Sequence, residues 1–269
     1  MPEGHTVHRT ADAFNAAFAG KRIWIDSPQG RFLGASVRVS GQIMQHASAI
    51  GKQMFIEFDN GLFVRIHLGI YGKWQWHENI RESGLLDQRV IGEVRARFYD
   101  QETLAELRGP TVCEVINSAE VAAIHDRLGP DPLNPDPTGS ECERFVNRVR
   151  RSTQSIAALL MDQSVISGIG NVYRAEILYR AGLDPYKSGS ALTVTQLREI
   201  WDDAVRLLAV GVRAGMMITR DELMHKRPNK ADRNHVYKRE GQECRVCGTT
   251  VSIAILAGRK LYWCAGCQH

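Results

Sequence analysis

Apolar residues recur at helical spacing near the start of the chain, within residues 4–18. Their intervals of three and four residues place them on one face of a helix, and Gly20 follows as a stop signal. The residues that form this face are Val7, Ala11, Phe14 and Phe18. The pattern therefore predicts an amphipathic helix at the beginning of the chain.

Alternation of apolar and polar residues replaces the helical spacing as far as residue 116. Asn60-Gly61 lies between two alternating segments and is a strong hairpin turn. The segments predicted to be strands are 21–26, 32–40, 52–59, 62–68, 71–76, 89–100 and 111–116. Together they predict an N-terminal antiparallel β-sandwich with one leading helix over residues 1–118.

Helical patterns dominate the middle of the chain, where proline and glycine break them into separate segments. Residues 130–137 read PDPLNPDP and predict a turn-rich linker. The segments predicted to be helices are 119–128, 141–163, 171–182 and 193–210. We therefore expect a helical domain over residues 119–225 and an α+β fold class for the whole chain.

The chain has no apolar run near the roughly 18 residues that a membrane helix needs, so we expect no membrane span. The N-terminal segment MPEGHTVHRT has no apolar leader, which predicts a cytoplasmic protein with reduced thiols at Cys113 and Cys142. The formal net charge is +4, and residues 220–269 carry ten basic against five acidic residues. This C-terminal excess indicates a nucleic-acid partner, although a solvated charged loop explains residues 226–230 equally well.

Four cysteines in the tail form two C-x2-C pairs about one loop length apart. Each pair presents two sulfurs to one tetrahedral ion, so the spacing predicts a structural zinc site. The ligands would be Cys244, Cys247, Cys264 and Cys267. Two disulfides in a secreted protein are the alternative, and they would need an export signal. Between the pairs, a β-branched run and LYW flank residues 258–260, so we expect a zinc-ribbon hairpin over 235–269, with Arg259 and Lys260 in its turn.

Glycines in SGIGN, residues 167–171, precede a predicted helix. The first N–H groups of a helix have no partner within it, so this N-terminus is a candidate phosphate site. Asn171 at the helix start is otherwise a capping residue, and the two roles are compatible.

Pro2 follows Met1, and removal of that methionine would leave a secondary amine at the N-terminus. An α-amino group has a pKa of about 8, against about 10.4 for lysine, so a useful fraction is unprotonated near neutral pH. Such an amine can attack a sugar C1′ and form a cationic iminium, with Glu3 beside it as an acid. The alternative is an ordinary helix start, in which Pro2 and Glu3 have no catalytic role.

Five motifs together resemble the formamidopyrimidine-DNA glycosylase and endonuclease VIII family. They are PEGHT, the Gly51-Lys52 turn, HDRLGPDPL, SGIGNVYRAEIL and GRKLYWCAGCQ, in the family's order and over nearly the whole chain. The resemblance implies a β-sandwich, a helix–two-turn–helix domain and a zinc ribbon that together bind damaged double-stranded DNA. It also implies a monomeric base-excision-repair enzyme that joins glycosylase to AP lyase activity, with one structural Zn²⁺.

The resemblance implies a role for each matching residue. Pro2 would form the Schiff base with C1′ of the damaged nucleotide, and Glu3 would donate a proton. Lys52 would assist β-elimination, and Arg259 would assist δ-elimination and bind the phosphate beside the lesion. The remaining expected DNA contacts are Arg127 and Asn171 on the backbone, with Ile70 and Tyr71 filling the gap left by the flipped nucleotide. Core packing is the alternative for Ile70.

The start PEG is closer to the endonuclease VIII branch, which excises oxidised pyrimidines. The purine-directed branch carries a lysine where this chain has Ala157. We therefore expect a pyrimidine preference, although an 8-oxoguanine or formamidopyrimidine glycosylase remains an alternative. A non-catalytic DNA-binding protein on the same scaffold is the other alternative. Cleavage of an abasic-site duplex distinguishes an enzyme from such a binding protein.

Overall fold

The computed structural model describes residues 2–269, apart from the side chain at position 87. The chain forms two compact units. One contains Pro2 and Val7–Asp126, and the other contains Glu3–Thr6 and Arg127–His269. We call them the sheet unit and the helical unit.

Two four-stranded antiparallel sheets build the sheet unit. One has the strand order β1-β6-β7-β5, and the other has the order β2-β3-β4-β8. The strands are β1 (Trp24–Asp26), β2 (Met44–Ile50), β3 (Gln53–Phe58), β4 (Leu62–His67), β5 (Lys73–Glu78), β6 (Ala96–Tyr99), β7 (Thr103–Arg108) and β8 (Val112–Asn117). Helices α1 (Gly4–Phe18), α2 (Leu33–Ser36), α3 (Ile80–Ser83) and α4 (Ser118–Arg127) accompany them.

One apolar core joins the two sheets and α1, as a sandwich requires. Phe14 of α1 lies at its centre, with its ring 4.7 Å from that of Trp74 and 5.1 Å from that of Trp76. Because strand side chains alternate between faces, Trp74 and Trp76 point to the same side of β5. The predicted leading helix and β-sandwich are confirmed.

The predicted strand over residues 32–40 is wrong, because α2 and turns occupy this segment. Gly34, Ala35 and Ser36 lack the branched side chains that favour strands, and the N–H of Ser36 bonds the carbonyl of Phe32 at 2.8 Å. The sequence pattern also missed β2 and β7. Thr103–Arg108 has helix-favouring residues, but it pairs with β6 on one side and β5 on the other, and this pairing decides its conformation.

Helices make up most of the helical unit. They are α5 (Ser140–Arg150), α6 (Ile156–Leu159), α7 (Asn171–Arg180) and α8 (Val194–Ala214). A capping box between Thr193 and Gln196 begins α8. The single helix predicted over 141–163 is wrong, because the N–H groups of Ile156 and Ala157 bond carbonyls of residues 187 and 185 instead of continuing α5.

The C-terminal hairpin completes the helical unit and consists of β9 (Ser252–Leu256) and β10 (Arg259–Trp263). Its loop has only two residues, Ala257 and Gly258, both with positive φ, as a tight hairpin turn requires. The predicted turn at 258–260 is therefore displaced, because Arg259 and Lys260 already belong to β10. The predicted α+β fold class, including this hairpin, is confirmed.

None of the helices in the described part of the chain is both long enough and apolar enough to cross a membrane.

Candidate active site and metal centre

The carboxylate of Glu3 caps helix α7. Its Oε2 accepts the N–H of Gly170 at 2.9 Å, and its Oε1 accepts the N–H of Val172 at 2.9 Å. A third N–H, from Tyr173, lies 3.4 Å from Oε2. The side chain is fully buried. Backbone N–H donors and the positive end of the helix dipole both stabilise the anionic carboxylate.

Two glycines make this close approach possible. A Cβ on Gly170 would lie 2.5 Å from the Cδ of Glu3, and a Cβ on Gly4 would lie 2.8 Å from the Cα of Gly168. The N–H of Gly4 also bonds the carbonyl of Gly168 at 2.8 Å. Glu3 and Gly4 therefore pack directly against the GIGN turn. Our interpretation of its free N–H groups as a phosphate site is wrong for Gly170 and Val172, because Glu3 accepts their N–H groups.

Asn171 is the first residue of α7 and does not cap it. Gly170 holds the capping position, without a side-chain bond. The Nδ2 of Asn171 instead donates to the carbonyl of Lys260 at 2.9 Å. Its Oδ1 accepts a hydrogen bond from Arg174. The capping interpretation of Asn171 is therefore wrong, and the side chain ties α7 to the beginning of β10.

Arg174 and Glu176 are buried polar residues of α7 that the sequence analysis missed. Burial lowers the pKa of the Arg174 guanidinium to about 10, and its Nη2 donates to the carbonyl of Lys260 at 2.9 Å. Glu176 accepts the N–H groups of residues 235–237 at 2.7–2.8 Å and the hydroxyl of Thr219 at 2.6 Å. Two charges within an otherwise apolar run, VYRAEILY, are the sequence signal that indicates such burial.

The four tail cysteines come together as predicted. Their sulfurs all lie within 4.8 Å of one another. The Sγ atoms of Cys244 and Cys267 are 3.8 Å apart, and those of Cys247 and Cys264 are 3.4 Å apart. A disulfide needs about 2.05 Å, whereas four thiolates at about 2.3 Å from one zinc ion lie nearly 4 Å from each other. The donor set therefore fits a tetrahedral metal ion and not two disulfides.

Arg259, the first residue of β10, is exposed, as is its neighbour Lys260. The register pairs Arg259 with Leu256 and Lys260 with Ile255. Since Asn171 and Arg174 both bond the carbonyl of Lys260, the backbone beside Arg259 is fixed to α7 while the guanidinium remains in solvent.

Lys52 stands in the two-residue loop between β2 and β3, after Gly51, whose φ is +58°. Its side chain is half-buried. The pKa of His67, on the neighbouring strand, is lowered by burial and by the charges of Lys52 and Arg65. Arg65 in turn donates to Glu114 at 2.8 Å. His67 is therefore mainly neutral near pH 7, and the positive charges that act on it are those of Lys52 and Arg65.

Ile70 and Tyr71 follow β4 and are 45% and 84% exposed. The loop is tight, because a Cβ on Gly72 would lie 2.2 Å from the carbonyl oxygen of Leu68. Core packing is thus wrong as an explanation for Ile70. Two adjacent exposed apolar side chains on a fixed loop are suited to insertion between bases.

Two predicted site residues lie at element ends. Arg127 is exposed at the last residue of α4. Pro2 is half-buried and directly precedes Glu3. Met1, whose removal the predicted nucleophile requires, lies outside the described residues.

Two family models match this chain. The Formamidopyrimidine-DNA glycosylase N-terminal domain matches residues 1–107, and the Formamidopyrimidine-DNA glycosylase H2TH domain matches residues 128–222. The chain is also 42% identical to Endonuclease 8 1 of Mycobacterium tuberculosis, with 100% of both chains covered. This chain belongs to the formamidopyrimidine-DNA glycosylase and endonuclease VIII family. It is therefore a DNA-binding glycosylase of DNA repair, and the resemblance carried by its motifs is confirmed.

Further similar proteins have lower sequence identity to this chain. Endonuclease 8 of Escherichia coli is 28% identical, with 100% of both chains covered. The complex between a Lactococcus lactis FPG mutant and a Fapy-dG containing DNA superposes with a TM-score of 0.82 at 21% identity, again over 100% of both chains. The Lactococcus lactis Fpg complex with abasic-site DNA gives a TM-score of 0.81 at 20% identity over 99% of both chains. At this identity the two structures show a shared fold.

Proposed function

We propose that this family member is a bifunctional DNA glycosylase and AP lyase that removes oxidised pyrimidines from double-stranded DNA. The observation that carries the proposal is the capture of the Glu3 carboxylate by α7, which fixes the residue next to the candidate nucleophile Pro2. The full-length similarity to proteins named Endonuclease 8 supports the pyrimidine preference.

In the proposed reaction, the nitrogen of Pro2 attacks C1′ of the damaged nucleotide. A bond forms between nitrogen and C1′, and the bond between C1′ and the base breaks with its electron pair leaving on the base. The proline nitrogen then loses its own proton and supplies its lone pair to C1′, while the C1′–O4′ bond breaks with its electron pair going to O4′, which takes up a proton. Opening of the sugar ring therefore gives an iminium at C1′. The proline iminium stays cationic without a further proton, so it is a permanent electron sink.

The same iminium drives strand cleavage. Loss of a proton from C2′ sends an electron pair toward the iminium, and the C3′–O bond breaks with the phosphate as the leaving group. Lys52 assists this β-elimination from its loop between β2 and β3. Arg259 holds the phosphate beside the lesion and assists the second, δ-elimination, since a guanidinium binds phosphate oxygens with two parallel hydrogen bonds.

Glu3 donates the proton that assists opening of the sugar ring and departure of the base. The N–H donors of α7 favour the anion, so DNA binding has to bring about proton uptake by Glu3. Phosphate charges and the exclusion of water both shift a carboxyl group in that direction. The hydrogen bonds from α7 fix the position of the Glu3 carboxylate, and bound DNA promotes its protonation.

The cysteine cluster holds one Zn²⁺ with a structural role. Four thiolates complete a tetrahedral shell and leave no position for substrate. The ion stabilises a hairpin too small to hold its shape by its own core, and that hairpin carries Arg259.

The remaining proposed contacts bind and distort the DNA. Ile70 and Tyr71 fill the gap that a flipped nucleotide leaves in the stack, a gap that costs a few kcal/mol. Arg127 contacts the backbone. Asn171 contributes to DNA binding in two ways: it contacts the DNA backbone, and its hydrogen bond to the carbonyl of Lys260 fixes the strand that carries Arg259.

A panel of duplexes tests the proposal. Purified protein should cut an abasic-site duplex, and it should excise thymine glycol or 5-hydroxyuracil faster than 8-oxoguanine opposite cytosine. A preference for 8-oxoguanine would assign the protein to the purine-directed branch. Binding without any cleavage would identify a non-catalytic DNA-binding protein.

A further inference from the structure

Tyr179 links helix α7 to the cysteine cluster. Its hydroxyl lies 3.3 Å from the Sγ of Cys244, within hydrogen-bond range for sulfur. The residue is only 7% exposed and packs in an apolar cluster with Cys244, Cys264 and Tyr262. Nothing in the proposed catalytic or DNA-binding chemistry uses it.

Packing holds the Tyr179 ring in this orientation. The ring stacks on the imidazole of His235, with centroids 4.7 Å apart and planes inclined by 22°. His235 lies in the segment whose N–H groups bond Glu176, one turn before Tyr179 on the same helix. The ring of Tyr179 is therefore packed against His235, whose backbone is in turn bonded to Glu176 of the same helix.

Metal binding decides which atom donates. A cysteine that ligates a metal does so as a thiolate, which has no proton to give. The Tyr179 hydroxyl then has to donate, and Cys244 accepts. A divalent ion with four thiolate ligands forms a centre with a net charge of −2. A hydrogen bond donated to one of the sulfurs withdraws electron density from that sulfur and so stabilises the negative charge.

We propose that Tyr179 is a positioning residue of the metal centre, whose hydroxyl donates a hydrogen bond to the Cys244 thiolate and slows release of the ion. This inference rests on the proposed zinc site. Partners of ligands in other metalloproteins are typically worth about 10- to 100-fold in metal affinity. Through Tyr179, the helix whose first turn holds Glu3 also stabilises the metal centre.

The experiment compares Tyr179→Phe with Tyr262→Phe in the full-length protein. Both substitutions remove one hydroxyl from the same apolar cluster. In Tyr179→Phe the aromatic ring that stacks on His235 is kept. Zinc content is measured by elemental analysis, and zinc release by transfer to 4-(2-pyridylazo)resorcinol. Each protein is also loaded with Co²⁺, and its thiolate-to-cobalt charge-transfer bands are recorded.

We expect Tyr179→Phe to release zinc about 10- to 100-fold faster, in line with the loss of affinity typical when a ligand loses its hydrogen-bond partner. The charge-transfer bands should move to lower energy, because the freed sulfur is more electron-rich. Tyr262→Phe should leave both unchanged. Native release and unshifted bands in Tyr179→Phe would overturn the inference while leaving the zinc site intact. Equally accelerated release in both variants with unshifted bands would also overturn it, since packing alone would explain the loss. Wild-type protein without zinc would reject the proposed metal site and the inference together.

Discussion

The loops of the sheet unit and helix α7 carry candidate functional residues in opposite ways. Lys52, Ile70 and Tyr71 stand on short loops, where a side chain reaches solvent from a rigid strand end. The polar residues of α7 are buried and bond segments outside the helix. Asn171 and Arg174 bond the carbonyl of Lys260, whereas Glu176 bonds the N–H groups of residues 235–237 and Tyr179 contacts Cys244. A loop residue therefore contributes its own contact, whereas a residue of α7 supports the geometry of residues elsewhere in the helical unit.

Blocking the N-terminus should have the largest effect on catalytic activity, because it removes the nucleophile. It leaves both the loops of the sheet unit and helix α7 unchanged. Retention of Met1, or an N-terminal tag, converts the Pro2 nitrogen into an amide that cannot attack C1′. Borohydride trapping on abasic DNA should then be abolished, while DNA affinity in a gel-shift assay stays near that of the wild type. A C-terminally tagged protein is the control and should be trapped normally.

Gly170→Ala tests whether the first turn of α7 has to hold the Glu3 carboxylate in position. The added Cβ would lie 2.5 Å from the Cδ of Glu3, so the carboxylate has to leave its N–H donors. We expect base excision to fall by about 100-fold or more, as for loss of a general acid. Cleavage of a pre-formed abasic site should fall less, since no base has to leave.

Gly34→Ala is the matched control for Gly170→Ala, because a Cβ at Gly34 meets nothing within 4 Å. Base excision by Gly170→Ala at the rate of the Gly34→Ala variant would show that the held position of Glu3 has no influence on the reaction.

Metal removal tests whether the hairpin beside α7 needs zinc to hold Arg259 in position. Cys264→Ser, or a strong zinc chelator, should release the ion and unfold the ribbon, because so small a hairpin has little core of its own. DNA affinity should fall by about tenfold or more as Arg259 loses its fixed position. The near-ultraviolet circular dichroism of the Trp74 and Trp76 region should persist. A metal-free variant with native DNA affinity would exclude the ribbon from binding.

Arg259→Ala should have the smallest effect of the four changes. One lost phosphate contact lowers the slope of log K against log salt by about 1 and weakens binding to all sequences alike. Lys52→Ala should lower the slope by a similar amount if the loop lysine also lies on the DNA. A slope unchanged by Arg259→Ala would remove that residue from the interface.

Local signals explain most of what the sequence predicted. The leading helix, the hairpin at Asn60-Gly61 and the cysteine pairs depend on short-range spacing, so a single sequence reveals them. The strand β7 was missed because pairing with β6 and β5 overrides its helix-favouring residues.

The polar contacts of α7 could not be predicted in the same way. Glu3 meets Gly170 across a separation of 167 residues, and Tyr179 meets Cys244 across 65. Helical periodicity places Asn171 and Glu176 on α7 but does not show which distant backbone groups they bond. The free N–H groups at the GIGN turn indicated an anion, and the anion proved to be a side chain of the chain itself.

Both steps of the proposed reaction, base excision and strand cleavage, require Pro2 as the Schiff-base nucleophile. The decisive measurement is borohydride reduction of the wild-type protein with abasic-site DNA, followed by digestion and mass spectrometry of the cross-linked peptide. We predict an N-terminal peptide that begins at residue 2 and carries the reduced deoxyribose on the proline nitrogen. An adduct on Lys52, or on any other lysine, would contradict the central assignment.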